Sequence, residues 1–143
     1  MRNVQEYLLS KGIRPSPQRI AIMDYLLNNC NHPTVEAIYD ALHTSMPTLS
    51  KTTVYNTLKL FEEKQAIQVL NIDEKNVNLD ARIEPHAHFQ CVRCGKIYDM
   101  PFEHYVSLVN LLNAKCCENF KMLQEQIYFK GICPNCQDAN KQQ

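Results

Sequence analysis

Apolar residues in the first half of the chain recur at helical spacing, and the runs are bounded by residue types that start or end helices. A short run from Val4 to Ser10 stops before Gly12, a residue type common just past a helix end. Ser16, followed by Pro17, and then Thr34 cap a second and a third run. The apolar positions of these two runs are Ile20, Ile22, Met23, Leu26, Leu27, Val35, Ile38 and Leu42. The pattern predicts three short helices.

A fourth helix is predicted from Ser50 onward, and its two faces differ. At 100° per residue, Val54, Leu58 and Phe61 share one apolar stripe. The opposite side carries short polar groups, an aromatic ring and a cation: Thr52, Tyr55, Asn56 and Lys59. Taken alone, this helix is equally well interpreted as an ordinary amphipathic helix with a solvated face.

The segment after the fourth helix favours a more specific interpretation. Ile67 to Ile72 and Val77 to Leu79 alternate between apolar and polar residues around a polar turn, which is typical of a two-stranded ribbon. Short helices, a capped fourth helix and a hairpin together predict a winged helix-turn-helix whose last helix enters the DNA major groove.

The pattern changes character near Glu84. The stretch from His88 to Asp99 predicts a strand, a tight turn and a second strand, and a helix is expected after Pro101, followed by a strand over Phe120 to Ile132. The helix places Tyr105, Leu108, Val109 and Leu112 on one stripe. A unit of about 55 residues has a marginal core and needs a structural metal or a partner subunit. The expected fold is therefore α+β, with domains at 1–83 and 84–143.

Composition restricts the class of protein further. The chain has 143 residues, 45% of them apolar, with no apolar run long enough to span a bilayer and no secretion signal at its start. We therefore expect a cytoplasmic protein. In that reducing compartment, seven cysteines are poor candidates for a disulfide framework.

Net charge does not by itself indicate nucleic acid. Fifteen basic residues balance fifteen acidic ones, and the balance is also even on each side of Ile83. A DNA partner would need local cations, and the first 19 residues carry Arg2, Lys11, Arg14 and Arg19 against Glu6 alone.

Two C-x-x-C pairs give the strongest chemical signal in the chain. They are Cys91-x-x-Cys94 and Cys133-x-x-Cys136. Four thiolates close a tetrahedron around zinc at about 2.3 Å and leave no open position, so this site is expected to be structural. A redox-active C-x-x-C beside a β-α-β pattern is the weaker alternative. Cys30, Cys116 and Cys117 have no such spacing and are expected to be plain thiols.

A second ligand set overlaps the first thiolate pair along the chain. His86-x-His88 in an extended segment places both imidazoles on one side, and Asp80 and Asp99 flank them as oxygen donors. Imidazole with carboxylate suits iron or manganese. The alternative is that His86 and His88 are solvent-exposed histidines of a strand and bind no metal. His32 is a possible fifth ligand, although its position in the sequence alone favours an ordinary loop histidine.

The order and spacing of these motifs resemble the ferric uptake regulator family over almost the whole chain. The residues that carry the resemblance are Ser16-Pro17-Gln18-Arg19, His32-Pro33-Thr34, Thr53-Val54-Tyr55, Asp80, His86-x-His88-x-x-Cys91-x-x-Cys94-Gly95-Lys96 and Gly131-x-Cys133-x-x-Cys136. Aspartate at position 99 is similar to the peroxide-stress regulator branch, whereas the iron-homeostasis branch usually has glutamate there.

The resemblance implies a homodimeric, metal-dependent repressor that binds operator DNA. Zinc would be held by the four cysteines of the C-x-x-C pairs, and iron(II) or manganese(II) by His32, Asp80, His86, His88 and Asp99. In this branch peroxide reacts with bound iron and a ligand histidine is oxidised, with His32 and His86 as the targets. Thr52, Tyr55, Asn56 and Lys59 would contact bases, and Arg14 and Arg19 would contact phosphates.

The chain departs from the family at two places. Asn78 and Leu79 replace the arginine and aromatic residue that are common before the first aspartate, and Gln124 and Glu125 replace two histidines of an additional metal site. Glu103 and His104 are the remaining candidates for that site. Two alternatives stay open: an iron-homeostasis repressor without peroxide sensing, and a metal or thiol enzyme, which lacks a nucleophile and base apart from the ligands.

Overall fold

The computed structural model describes residues 3–101, 107, 108, 110, 119–121 and 123–138. The chain divides into two compact units, Met1–Ile83 and Glu84–Gln143. Both units combine helices with strands, which confirms the predicted α+β class. None of the helices in the described ranges combines the length and the apolar character that a bilayer crossing requires.

The N-terminal unit contains four helices followed by a hairpin. They are α1 (Val4–Ser10), α2 (Pro17–Asn28), α3 (Val35–Leu42), α4 (Lys51–Glu63), β1 (Gln68–Leu70) and β2 (Asn78–Asp80). Hydroxyl side chains begin three of the helices: Ser16, Thr34 and Ser50 each accept a hydrogen bond from the backbone N–H three residues later, at 3.1 to 3.3 Å. A cap of this kind stabilises a helix by about 1 kcal/mol, so local chemistry sets where these helices begin.

The core of the N-terminal unit is contributed by all four helices. Its buried residues are Leu8, Ile13, Ile22, Met23, Leu26, Ile38, Leu49, Val54, Leu58, Phe61, Ala66, Ile67 and Leu79. Burying one such aliphatic or aromatic side chain stabilises the fold by about 1.5–3 kcal/mol. The predicted apolar stripe of α4 faces this core, so the opposite face of the helix is left to solvent.

The hairpin determines the position of Asp80. β1 and β2 pair antiparallel with Gln68 opposite Asp80 and Leu70 opposite Asn78. Leu79 points into the core and is only 3% exposed. Asp80, the last residue of β2, alternates with Leu79 and is itself buried, so the hairpin fixes the position of a buried carboxylate.

The C-terminal unit is built on a three-stranded sheet of order β4-β3-β5. Its elements are β3 (Ala87–Cys91), β4 (Ile97–Met100), β5 (Tyr128–Gly131) and a short helix α5 (Pro134–Asp138). β4 pairs antiparallel with β3, while β5 pairs parallel with it. Gly131 allows close packing, because a Cβ there would lie 3.1 Å from the Phe89 ring and the ring would have to move.

The predicted final strand was too long. Phe120 to Ile132 was expected to be extended throughout, whereas the observed strand covers only Tyr128–Gly131. β3 offers a parallel partner over four residues, from His88 to Cys91, and Phe120 and Leu123 are 76% and 80% exposed. Without a strand to pair with, apolar residues alone do not form a strand.

Other expectations for this unit fall outside the described residues. The helix predicted after Pro101 lies mostly there, with Tyr105, Val109 and Leu112. Glu103, His104, Cys116 and Cys117 also lie outside them.

Candidate metal centres

The four cysteines of the C-x-x-C pairs form one cluster in the C-terminal unit. Their sulfur atoms all lie within 4.8 Å of one another, and the Sγ atoms of Cys94 and Cys133 are 3.9 Å apart. A tetrahedron with zinc–sulfur bonds of about 2.3 Å has sulfur–sulfur edges of about 3.8 Å. The cluster therefore fits a structural zinc ion.

The sheet explains why residues so distant in sequence meet. Cys91 ends β3 and pairs in register with Gly131 of β5, which places Cys133 beside it. Gly95 has φ +73°, a left-handed conformation that closes the first turn, and its N–H donates to the Cys91 carbonyl at 2.8 Å. In the second turn, the Cys136 N–H donates to the Cys133 carbonyl at 3.0 Å.

The surroundings lower the pKa of some of the four cysteines and raise the pKa of another. The backbone N–H of Cys133 donates to the Cys91 sulfur, with further donors from the first turn, and lowers the pKa of Cys91 to about 6. A hydrogen bond from Tyr98 lowers the pKa of Cys133. The neighbouring Cys133 raises the pKa of Cys136 to about 12. Four sulfurs at this spacing ionise together only when a cation neutralises them, as zinc does.

Tyr98 is a residue of this cluster that sequence reasoning missed. Its hydrogen bond to Cys133, together with burial and the neighbouring sulfurs, raises the pKa of the phenol to about 12. The hydroxyl therefore stays a donor to the thiolate at neutral pH. The only signal in the sequence was strand alternation, which places Tyr98 on the face opposite its neighbour Asp99.

A second group of ligands lies on the other face of the same sheet. The Nε2 atoms of His86 and His88 lie 3.3 Å and 3.7 Å from one oxygen, Oδ1 of Asp99. Both imidazoles are buried, and their ring centroids are 4.4 Å apart. His88 and Asp99 are directly opposed in the β3–β4 ladder, so strand register brings nitrogen and oxygen donors to one point.

The orientation of His86 is fixed by the backbone. Its Nδ1 lies 2.7 Å from the carbonyl oxygen of Glu84. A carbonyl only accepts hydrogen bonds, so Nδ1 carries the proton and Nε2 keeps its lone pair on the side of Asp99. The imidazole is therefore set up as a metal ligand through Nε2.

The N-terminal unit holds two further candidate ligands close together. A ring nitrogen of His32 and a carboxylate oxygen of Asp80 lie within 4.8 Å of each other, and both residues are buried. Two hydrogen bonds join the His32 loop to β2: the Asn78 side chain donates to the His32 carbonyl at 2.7 Å, and the Leu79 N–H to the Pro33 carbonyl at 3.0 Å. The Asp80 carboxylate also accepts from the Arg82 N–H at 2.8 Å. His32 has φ +52°, an uncommon conformation for a non-glycine residue.

The residues expected to contact DNA share one surface of the N-terminal unit. Those on α4 are all exposed, and Tyr55 is 58% exposed. A cleft of about 590 Å³ lies beside them, and its lining includes Arg14, Arg19 and Asn56. The Arg19 guanidinium donates to the Arg14 carbonyl at 2.8 Å, which holds one cation at the start of α2.

The chain is similar to known proteins over most of its length. The profile of the ferric uptake regulator family matches residues 10–130. The chain is 34% identical over 137 residues to the peroxide operon regulator of Bacillus subtilis (strain 168), covering 95% of this chain and 92% of that protein.

Two solved structures are also similar. PerR from Streptococcus pyogenes, described in terms of peroxide sensing and gene regulation, matches with TM-score 0.51 and 30% identity, over 94% of this chain and 90% of that one. The ferric uptake regulator Fur of Helicobacter pylori matches with TM-score 0.72 and 23% identity, over 94% and 89% of the two chains. The second likeness concerns the fold alone.

Proposed function

The chain belongs to the ferric uptake regulator family, and we propose that it is a metal-dependent, DNA-binding transcriptional repressor that senses hydrogen peroxide. The observation that carries the proposal is the convergence of His86 and His88 on one oxygen of Asp99, at 3.3 Å and 3.7 Å. Imidazole nitrogen with carboxylate oxygen is a donor set that suits iron(II) and manganese(II). Aspartate at position 99 is the residue that resembles the peroxide-stress branch.

The regulatory ion in this proposal has five protein ligands: His32, Asp80, His86, His88 and Asp99. Three donors from the C-terminal unit leave an octahedral ion incomplete, and the N-terminal unit holds a buried histidine and a buried aspartate of the same donor types. Binding one ion with residues of both units would fix the orientation of the DNA-reading helix. DNA affinity would then depend on the metal.

Five ligands also leave a coordination position for peroxide. Iron(II), when bound, supplies the electron that reduces hydrogen peroxide and leads to oxygen insertion into a ligand imidazole, whereas manganese(II) supports DNA binding without this chemistry. His32 and His86 are the proposed targets. The Glu84 carbonyl holds the His86 ring in its ligand orientation, so damage to that ring removes a preset donor. Loss of the donor weakens metal binding, and repression ends.

The partner is double-stranded operator DNA, bound by a homodimer in the cytoplasm. The exposed face of α4 would read bases, and Arg14 and Arg19 beside the cleft would contact phosphates. A two-fold dimer presents two such helices, so its operator would carry two related half-sites. The protein acts as a regulator and not as an enzyme, because each sensing event consumes a histidine.

Mass spectrometry combined with DNA binding tests the function. Protein loaded anaerobically with iron(II) is treated with one equivalent of hydrogen peroxide and divided into two portions. One portion is digested for mass spectrometry, and the other is assayed intact on DNA fragments selected with the manganese-loaded protein. We expect one added oxygen atom on a peptide holding His32 or His86, together with loss of DNA binding. Manganese-loaded protein should remain unmodified and bound.

Two results would reject this function. If the histidines remain unmodified and DNA binding is retained after peroxide, the protein is an iron-homeostasis repressor, in which the ion is only a corepressor. Continued consumption of peroxide by a small amount of protein would instead show an enzyme.

A further inference from the structure

Three side chains form a row across the sheet of the C-terminal unit. In the strand registers, His88 of β3 is opposed by Asp99 of β4 on one side and by Tyr128 of β5 on the other. Residues opposed in a ladder project from the same face. The Tyr128 ring centroid lies 6.3 Å from that of His88, with the ring planes tilted by 56°. A phenol is therefore the lateral neighbour of a proposed metal ligand.

The hydroxyl of Tyr128 has a defined environment. The residue is half-buried, and its O–H donates to the side-chain oxygen of Gln126, two residues earlier. Tyr128 therefore holds a hydrogen-bonded O–H on the ring that lies beside the histidine.

A second tyrosine on the same sheet provides an internal reference. Tyr98 is also half-buried but projects from the opposite face, where it contacts Phe89 with ring centroids 6.4 Å apart. Tyr98 and Tyr128 thus differ in which face they occupy much more than in exposure. An oxidant arising beside His88 meets Tyr128 first, whereas an oxidant from bulk solvent reaches both.

We propose that Tyr128 is a second oxidation site of this sensor, where the phenol competes with the ligand histidines for the oxidant formed from peroxide; this rests on the function proposed above. Iron(II), when bound, would give one electron to hydrogen peroxide, whose O–O bond would break to give hydroxide and a hydroxyl radical and leave iron(III). The radical then takes a hydrogen atom from the Tyr128 O–H. The products are water and a neutral phenoxyl radical, with no other co-reactant.

The competition follows from bond strengths and position. The phenol O–H bond is much weaker than the O–H bond of the water that forms, because the phenoxyl radical is stabilised by delocalisation over the ring, so the hydrogen-atom transfer is strongly favourable. Each event that ends at Tyr128 leaves His32 and His86 intact. Tyr128 therefore lowers the yield of oxygenated histidine for each hydrogen peroxide consumed.

Rapid freezing of the iron(II)-loaded protein after one equivalent of peroxide, followed by electron paramagnetic resonance, tests this site. We expect a tyrosyl signal in the wild type that narrows when the protein carries ring-deuterated tyrosine. Tyr128→Phe keeps the ring and removes the O–H. It should lose the signal and show a higher yield of oxygenated histidine peptide. Wild type without iron, treated with peroxide in the same way, is the control and should give no tyrosyl signal.

The outcomes separate this inference from the function on which it rests. Oxygenated histidine without a tyrosyl signal, or a signal that survives Tyr128→Phe, overturns the role of Tyr128 and leaves peroxide sensing in place. A tyrosyl signal that is lost in Tyr98→Phe but not in Tyr128→Phe also overturns the role of Tyr128 and leaves peroxide sensing in place. Absence of both oxygenated histidine and radical, with DNA binding retained, rejects peroxide sensing itself. Metal content of each variant, measured before peroxide is added, shows that the ligand sites are loaded.

Discussion

β3 contributes to two clusters of candidate metal ligands, one on each face of the sheet. The clusters differ in the donor atoms they offer and in whether the C-terminal unit supplies all of the ligands that the ion needs. Cys91 belongs to a set of four sulfurs, all supplied by the C-terminal unit and all within 4.8 Å of one another. His88, three residues earlier and therefore on the other face, belongs to a set in which this unit supplies two nitrogens and a carboxylate. One strand thus separates a complete site from an incomplete one.

The difference between the clusters explains how one small unit performs two tasks. A tetrahedron of thiolates leaves no position for a fifth ligand, so its zinc stabilises the fold and does not meet peroxide. A set of three donors leaves coordination positions of the ion unfilled, so the ion can bind further ligands. Stability is assigned to the closed cluster and response to the open one, so each can be disrupted separately.

The largest effect is expected from breaking the closed cluster. Cys94→Ser removes one thiolate and should release zinc, with loss of folded C-terminal unit and of the dimer. Structural zinc contributes roughly 10–16 kcal/mol in small domains, as much as the whole stability of a typical domain at about 5–15 kcal/mol. Zinc content per protomer and circular dichroism measure the result.

Cys30→Ser is the matched control for this change. Cys30 is an exposed thiol of the N-terminal unit, outside the sulfur cluster, so its replacement should leave zinc content at the wild-type value. A full zinc complement in Cys94→Ser would contradict the assignment of the four cysteines.

A smaller and more selective effect is expected from breaking the open cluster. His86→Ala removes one of the two nitrogens that converge on Asp99, and metal-dependent DNA binding should fall while zinc and folding are retained. Even residues that only support a metal ligand cost about 10- to 100-fold in metal affinity when mutated, so the loss of a ligand should be at least as large. Titration of DNA binding with manganese(II) measures it.

His43→Ala provides the comparison, since His43 is an exposed histidine at the C-terminal cap of α3 whose ring stacks on Tyr39. DNA binding that needs the same manganese concentration in His86→Ala as in His43→Ala would remove His86 from the regulatory site.

Much of this architecture follows from local sequence, and the remainder depends on pairing. Ser16, Thr34 and Ser50 cap the helices they were expected to cap, because the capping hydrogen bond is made within three residues. The extent of β5 and its parallel register with β3 could not be predicted, because they depend on which strand is available as a partner. The neighbourhood of Tyr128 and His88 follows from that register, which is why no sequence pattern indicated it.

Aspartate at position 99 is the reason for choosing the peroxide-stress branch over the iron-homeostasis branch, which usually has glutamate there. The two side chains differ by one methylene group, and Asp99→Glu tests the choice. The longer side chain keeps a carboxylate, so metal-dependent DNA binding should persist, while the rate of histidine oxygenation by peroxide should fall. Rates of oxygen addition to the His86 peptide, measured at matched iron content, give the comparison. If both proteins are oxygenated at the same rate, Asp99 is not the residue that determines peroxide sensitivity.

The smallest effect is predicted for alanine substitutions at two glycines that have similar backbone conformations but lie in different units. Gly95, in the zinc turn, and Gly12, after α1, have φ +73° and +69°, and a Cβ at either would meet no atom within 4 Å. Alanine at each therefore costs only backbone strain, about 1 kcal/mol. Because zinc and the folded C-terminal unit form together, Gly95→Ala should lower zinc affinity by roughly fivefold, the factor that 1 kcal/mol represents. Gly12→Ala should lower the melting temperature of the N-terminal unit with zinc affinity unchanged. A chelator competition assay that finds equal zinc affinities in the two variants would show that zinc binds a turn formed independently of the ion.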